Sequence, residues 1–283
     1  MNPEPRKRSA LELIRHYAAL EKANLPVFPE AAFELQQLAT DGTSIDHVAK
    51  LIGMDQALTL QVLKMANSAL FSGSHKVSTI RDAVMRLGLD HVLNLVICTY
   101  QQGLYKSSNL KLRNYTYMAW IHALITAAGS RWLARELGYA EIRDKAFLSG
   151  LLHDIGKLVL IKALEAITSK NSKVTLSDEI IGKILATLHS EEGYMLMDEW
   201  SIPSAYCNIA LEHHKQEFDT ENHLLLIVRV VNHACKREGI SASNGEQPLL
   251  SDLPEVKALD IDSDTLDKLD NFILEGVETE IRI

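Results

Sequence analysis

The fold of this chain is decided by one stretch, Leu151-Leu152-His153-Asp154-Ile155-Gly156-Lys157-Leu158-Val159-Leu160. It places a His-Asp doublet inside an apolar run, with a glycine and a lysine close behind. Ionisable side chains in apolar surroundings are costly unless they pair, form hydrogen bonds or bind a metal ion. Imidazole and carboxylate groups are common metal ligands in proteins. The doublet alone predicts equally a metal site or a hydrogen-bonded pair at a helix end.

Outward from this stretch, the sequence is dominated by helical patterns. Apolar residues recur at helical spacing, strand-like alternation is nearly absent, and the 7 prolines fall mostly where helices start or the chain turns. In the second half the pattern predicts helices over roughly residues 110–137, 141–165, 176–198, 202–215 and 222–237, and a last one from about Asp262. Residues 241–254 are the most loop-like stretch of that half.

The first half predicts five short helices between Leu25 and about residue 105. The first of them carries its apolar face over residues 32–39, and residues 72–74 form a loop. The signals that limit the helices are Pro29, Ser44 and Asp55 at starts, Thr79 with Asp82 as a capping box, Gly88 as a stop and Asp90 as a further start. The polar stretch 106–109 predicts the boundary between the halves. We therefore expect an all-α fold, with an N-terminal five-helix bundle packed on a C-terminal helical bundle.

Composition argues against several classes of protein. The 283 residues suffice for one large domain or two modest ones, and 47% of them are hydrophobic. The net charge of −8 argues against a nucleic-acid surface, which needs clustered lysine and arginine. Cys98, Cys207 and Cys235 form no close pair and are typical of reduced thiols. No apolar run is long enough to cross a bilayer, and residues 1–8 lack the apolar segment of a signal peptide. We expect a cytoplasmic protein with no membrane partner.

Histidine placement is the second strong signal. Five histidines fall on four predicted helices of the second half, and helices in a bundle can direct such residues at one central point. They are His122, His153, His189, His213 and His214. Each one alone is more often a core or surface histidine, but together they favour a shared site that includes Asp154.

Sequence blocks in both halves resemble one known family. Those of the first half are Leu25-Pro26-x-x-Pro29, Met65-Ala66-Asn67-Ser68-Ala69, Val77-Ser78-Thr79-Ile80-Arg81-Asp82-Ala83-Val84 and Arg86-Leu87-Gly88. Those of the second half are the stretch 151–157, His189-x-Glu191-x-Gly193, Trp200-x-x-Pro203 and His213-His214. Over residues 20–240 the chain is similar to the HDOD family of bacterial signalling modules, which is related to the HD superfamily of metal-dependent phosphohydrolases.

The resemblance implies a divalent metal cofactor, such as Fe, Mn, Zn or Mg, and a ligand role for each histidine. His122 corresponds to the first ligand of the HD pattern, and His153 with Asp154 to the central ligands, where Asp154 can bridge two ions. The further histidines of enzymes that hold two metals correspond to His189, His213 and His214. Lys157 would lie near a substrate phosphate, so that Asp154 and Lys157 are the catalytic candidates.

The resemblance also implies domain limits and two hypotheses for function. We expect an N-terminal HDOD subdomain over residues 20–105 and an HD-like helical subdomain over 110–240, which together form one HDOD unit over 20–240. The acidic composition of the tail, and not the resemblance, predicts an acidic C-terminal helix over 255–283. Asn232 stands where HD enzymes carry a last aspartate ligand, and residues 215–219 lack the Gly-Tyr-Pro loop of the HD-GYP phosphodiesterases. The favoured hypothesis is therefore a regulatory module that acts through signalling protein partners and keeps a partly degenerate metal site. The alternative is a metal-dependent phosphohydrolase whose ligand is a nucleotide or cyclic nucleotide phosphoester.

Overall fold

The computed structural model describes residues 10–25, 45–53, 56–67, 76–171, 174–241 and 248–281. Every regular element in these ranges is a helix, so the all-α prediction is confirmed. The helices are α1 (Ala10–Asn24), α2 (Ile45–Gly53), α3 (Gln56–Ala66), α4 (Ile80–Leu87), α5 (Leu89–Leu104), α6 (Leu110–Glu136), α7 (Arg143–Leu152), α8 (Ile155–Lys170), α9 (Asp178–Glu199), α10 (Ser204–Glu212), α11 (His223–Arg237), α12 (Pro254–Ala258) and α13 (Ser263–Ile281). Short 3-10 turns lie at Ala140–Ile142 and Leu250–Asp252. Among the described helices, none combines the length and the apolarity needed to cross a bilayer.

The chain forms two compact units. The small unit is Pro26–Leu104, and the large unit joins Met1–Leu25 to Tyr105–Ile283. The large unit is thus built from two separate segments of chain, between which the small unit is inserted in sequence. The limits expected at residues 20–105, 110–240 and 255–283 stay predictions.

Within the small unit, α2 to α5 close around an apolar core. The N-cap half of the predicted capping box is present, because the Thr79 hydroxyl accepts from the Asp82 amide at 3.1 Å. The Asp82 carboxylate accepts from the Thr79 hydroxyl at 2.6 Å and not from the backbone amide that a full capping box uses. α4 ends at Gly88, as predicted, and the φ of 84° at this residue favours glycine. The buried core includes Val48, Ile52, Val62, Ala83, Val84 and Val96.

Asn67, from the Ala66-Asn67-Ser68 block, has a structural role. Its side-chain amide donates to the carbonyls of Leu63 and Val77 at 2.9 and 2.8 Å, and its oxygen accepts from the Val77 amide at 2.8 Å. These bonds join the end of α3 to the segment before α4. The features predicted at Pro29, 32–39, Ser44, Asp55 and 72–74 lie outside the described residues.

The large unit is organised around its two longest helices, α6 and α9. α6 packs along α7, and α8 packs along α9, while α1 lies on α8 and α11 lies on α6. The first two turns of α8, from Ile155 to Ile161, are buried throughout. A helix with an apolar surface all round belongs in the middle of a bundle, and α8 holds that place here.

The single helix predicted over residues 141–165 is wrong in one respect. The chain breaks it into α7 and α8 at a two-residue turn formed by His153 and Asp154. Side chains one residue apart on a continuous helix point about 100° apart. The turn at Asp154, with φ −109° and ψ 13°, changes that geometry and lets both side chains face the same interior point.

α1 is not among the sequence predictions. Its buried positions are Ile14, Ala18 and Lys22, which follow one another at intervals of four, so the periodicity was available in the sequence. Lys22 forms an ion pair with Glu192 of α9 at 3.2 Å, and the two side chains are 4% and 3% exposed. Near the other end of the helix, Arg15 contacts Glu191 at 2.7 Å on the surface. Both pairs hold α1 to α9.

The acidic C-terminal segment is two helices rather than one. α12 and α13 are separated by a turn at Asp260, whose φ is 51°. α12 begins with a proline, which suits a first helical position. Glu255 in this short helix is only 1% exposed, although an acidic segment of this kind is expected to be solvated.

Candidate metal centre

Four histidines of the large unit surround the Asp154 carboxylate. The Nε2 atoms of His122 and His153 lie 3.2 and 3.4 Å from Asp154 Oδ2. Those of His189 and His213 lie 3.1 and 3.4 Å from Asp154 Oδ1. All five side chains are at most 3% exposed. The structure therefore brings together in space residues that are spread over 92 positions of sequence, from His122 to His213.

Each of these residues reaches the centre from a different part of the bundle. His122 lies in the middle of α6, His189 lies in α9, and His213 follows the last residue of α10. The backbone of α9 can approach α8 closely because Gly156 has no side chain. A Cβ at this position would lie 1.9 Å from the carbonyl oxygen of His189. The glycine of the His-Asp motif thus sets the position of a histidine from another helix.

Backbone carbonyls define the protonation of three imidazoles. Nδ1 of His122 lies 2.6 Å from the Ile240 carbonyl oxygen, and Nδ1 of His153 lies 2.7 Å from that of Gly150. Nδ1 of His213 lies 2.8 Å from the Ala210 carbonyl oxygen. A carbonyl only accepts, so each Nδ1 carries the proton. In a neutral imidazole, the Nε2 atom then presents a lone pair.

The Nε2 atoms of the four imidazoles are crowded against one another and against the carboxylate oxygens. Nε2 of His122 lies 3.3 Å from Nε2 of His153, and Nε2 of His189 lies 3.2 Å from Nε2 of His213. Lone pairs directed at one carboxylate repel unless a proton or a cation lies among them. A divalent ion satisfies them together, and the hydrogen bonds from Nδ1 to carbonyls are the supporting contacts that metal-binding histidines make.

The donor set divides into two groups that share Asp154. One contains His122 and His153, the other contains His189, His213 and His214, and in each group the ligand atoms lie within 4.8 Å of one another. The five predicted histidines and Asp154 therefore meet at one place. His214 differs from the rest because it is exposed.

Charge and burial keep the ligands in the forms that a metal needs. Burial alone would raise the pKa of Asp154, but Lys157, His153 and His189 hold that pKa well below its usual range. Burial lowers the pKa of His122 to about 4 and that of His213 to about 3, against the opposite effect of Asp154. At neutral pH the carboxylate is ionised and these two imidazoles are neutral, so neither of them has to lose a proton before an ion binds.

A cleft of about 380 Å³ reaches the centre from the surface. Lys157 lines it, and the Lys157 ammonium donates to Asp154 Oδ2, the oxygen that faces His122. Lys236 of α11 also lines the cleft, and burial lowers the pKa of its ammonium to about 8. The remaining polar side chains of the lining include those of His189, Ser190 and His214. The cleft thus presents two amino groups beside the candidate metal ligands.

Two residues that shape the centre, Lys236 and Gly156, are not marked as functional by the sequence patterns. Lys236 is one helical turn after Asn232, and that spacing was the signal that could have found it. Asn232 is 1% exposed, and its side-chain oxygen has no hydrogen-bond partner within the part of the chain that the structure describes. Gly156 stands in the quoted motif, but its role is visible only once α9 is in place.

Comparison with known proteins identifies the family. The sequence profile of the HDOD domain matches residues 25–216, and the chain belongs to this family. A curated relative, an uncharacterized protein of Treponema pallidum (strain Nichols), is 26% identical over 231 residues, which are 80% of this chain and 44% of that protein. The chain therefore spans less than half the length of this relative.

Solved structures share the fold. An HDOD domain protein of unknown function from Geobacter sulfurreducens superposes with a TM-score of 0.71 at 23% identity, covering 94% of this chain and 96% of the other. A proposed metal-dependent phosphohydrolase from Shewanella amazonensis gives 0.64 at 18% identity, covering 93% and 99%. A proposed signal transduction protein from Marinobacter aquaeolei gives 0.65 at 20% identity, covering 96% of this chain and 60% of that one.

Proposed function

We propose that this chain is a regulatory signalling module that acts through protein partners and binds a divalent metal ion at Asp154. The observation that carries the metal site is the convergence of four buried imidazole nitrogens on one carboxylate. The regulatory role is supported by membership of the HDOD family and by the relative from Marinobacter aquaeolei, described as a proposed signal transduction protein.

The charge of the donor set favours a regulatory metal over a strongly bound catalytic pair. Asp154 is the only carboxylate of the described cluster, and Asn232 adds an amide where HD enzymes add a second carboxylate. Two divalent ions would bring four positive charges next to the Lys157 ammonium. The single negative charge of Asp154 would be the only one in the described cluster to offset them. Imidazole-rich sites suit zinc and iron, whereas magnesium prefers oxygen ligands. We expect one tightly held ion, zinc or iron, in this cluster.

Hydrolysis of a phosphoester is the second candidate, and the cleft is the observation that favours it. A divalent ion, when bound, supplies a hydroxide from a ligand water at neutral pH and polarises a phosphoryl oxygen. The chain's own part is to hold the anion. Lys157 and Lys236 offer two ammonium groups to the phosphoryl oxygens. To bind them, the Lys157 ammonium would give up its hydrogen bond to Asp154 and donate to a phosphoryl oxygen instead. A nucleotide or cyclic nucleotide is the substrate class of this proposal.

One experiment tests the metal site. Metal content is measured on protein purified without added metal or chelator, beside the paired variant His153→Ala with Asp154→Ala. His223→Ala is the matched control, because His223 contacts Tyr139 outside the centre. About one ion per chain, lost in the paired variant and kept in the control, supports the site. The proposal is refuted if folded wild-type protein contains no ion even after incubation with zinc and iron.

A second experiment separates the two roles. The metal-loaded protein is assayed against phosphomonoesters, phosphodiesters and cyclic nucleotides. Turnover that disappears in Asp154→Asn and weakens in Lys236→Met supports the hydrolase and removes the purely regulatory proposal. A loaded protein without turnover on any of these esters leaves the regulatory role as the conclusion.

A further inference from the structure

The turn that carries His213 and His214 is held by an arginine from another helix. Arg229 of α11 donates through Nη1 to the carbonyl oxygens of Glu212 at 3.2 Å and Lys215 at 2.9 Å. These two carbonyls immediately precede and follow the two histidines. One guanidinium nitrogen therefore joins both ends of the four-residue turn.

The guanidinium of Arg229 is itself fixed from two further sides. Nε donates to Glu255 Oε1 of α12 at 2.5 Å, and the two side chains are 8% and 1% exposed. Its Cζ atom lies 4.1 Å from the ring centroid of Phe218, which is a cation–π contact. The ion pair with Glu255, the hydrogen bonds to the turn and the contact with the Phe218 ring together hold the guanidinium group in one orientation.

The Glu212 carbonyl also accepts from the Lys215 amide at 2.9 Å, so Arg229 is its second donor. A cation is favoured at a helix C-terminus, and the guanidinium group lies at that of α10. The guanidinium group has several donors in a rigid plane, so that it can serve the turn and Glu255 at the same time. A lysine ammonium is a compact point charge on a flexible stem and does not reproduce that fork.

We propose that Arg229, with Glu255 behind it, is a positioning residue for the metal centre. It acts through the Glu212–Lys215 turn, whose His213 places Nε2 at 3.4 Å from Asp154 Oδ1. The inference rests on the proposed metal function. It also extends the centre beyond the HDOD match at residues 25–216, because both Arg229 and Glu255 follow it. α12 thereby influences a site to which it contributes no ligand.

The test is a cobalt(II) titration of metal-free protein, read by the visible absorption of the bound ion. The variants are Arg229→Lys and Glu255→Gln, which keep the size of each side chain. The matched control is Arg237→Lys, because Arg237 also lies on α11 and pairs with Asp270 at 3.6 Å but does not reach the turn. Supporting contacts of metal ligands are worth about 10–100-fold in affinity. We expect weakening of that order in both variants, a changed cobalt spectrum, and less than about twofold change in the control.

Amide hydrogen exchange separates positioning from general stability. The Lys215 amide bonds to the Glu212 carbonyl at 2.9 Å, and its exchange is expected to accelerate in both variants without metal. Faster exchange with unchanged cobalt affinity and spectrum would reduce Arg229 to a structural contact and overturn the inference. Unchanged exchange and unchanged affinity would overturn it as well. No cobalt binding by the wild-type protein would overturn the proposed metal function and this inference together.

Discussion

Replacement of Gly156 by alanine is expected to displace α9 and to disable the metal centre. The added Cβ would lie 1.9 Å from the His189 carbonyl oxygen, 2.5 Å from the Gly193 amide nitrogen and 2.8 Å from the His189 carbonyl carbon. All three are backbone atoms, so that no side chain can rotate away. To reach even 3.0 Å, the shortest separation that real Cβ atoms show, the helices must part by about 1 Å.

The size of the effect follows from that displacement. Overpacking of a core costs about 1–3 kcal/mol, and a backbone clash belongs at the upper end. Alanine regains about 1 kcal/mol of helix propensity over glycine. The net loss is about 2 kcal/mol, which lowers Tm by about 4–8 °C for a unit of this size. Metal–ligand distances tolerate about 0.2 Å, so a shift of about 1 Å at His189 exceeds what the centre can accept.

The assay measures Tm and bound metal in the same samples. Gly182→Ala is the control on α9, because a Cβ there meets nothing within 4 Å. We expect it to keep its metal and to gain up to about 1 kcal/mol. Gly156→Ala protein with wild-type Tm and wild-type metal content would refute the close approach of α8 and α9, and with it the account of how His189 is placed.

Three further outcomes are expected. Lys22→Ala leaves the buried Glu192 carboxylate unpaired and should cost about 3–5 kcal/mol in urea unfolding, whereas the exposed Arg15→Ala should cost less than about 1 kcal/mol; equal losses would contradict this. A chelator should lower Tm, and added zinc or iron should restore it in a concentration-dependent way; a Tm indifferent to both would count against the site. Unfolded histidines have a pKa of about 6.5 and take up protons before the buried His122 and His213, whose pKa values are about 4 and about 3. Stability of the metal-free protein should therefore fall as pH drops from 7 to 5, by about 2 kcal/mol per histidine, and each of His122→Gln and His213→Gln should flatten the curve.

Local signals in the sequence predicted the helices well where caps and periodicity agree. The N-cap at Thr79 and the stop at Gly88 depend only on neighbours in the chain, and both are present. A helix end at His153 is one of two interpretations of the doublet, but apolar residues continue on both sides of it and favour one unbroken helix over residues 141–165. What ends α7 there is the tertiary demand that His153 and Asp154 face one point. α1 is a different case: its buried positions Ile14, Ala18 and Lys22 recur at intervals of four, a helical spacing that is present in the sequence.

In the candidate site, too, some residues could be predicted from the sequence and others could not. The family blocks named the ligand set, and the structure places His122, His153, His189 and His213 around Asp154. The residues that support the site, Arg229 and Lys236, belong to none of the sequence motifs. Arg229 acts through backbone carbonyls, which any residue provides, so the sequence of the turn holds no trace of the contact. Lys236 lines the cleft from a helix that the motifs do not mark.

The insertion of the small unit has a consequence for the order of events during synthesis. α1 leaves the ribosome well before its partners on α8 and α9, because Arg15 and Glu191 are 176 residues apart. At about 5–20 residues per second, α1 waits about 10–35 s for them. Throughout this delay its apolar face and Lys22 have no native partners, while the small unit, whose chain is continuous, can already fold. Chaperone contact with the nascent chain is therefore expected to concentrate on residues 10–25 until α9 has emerged.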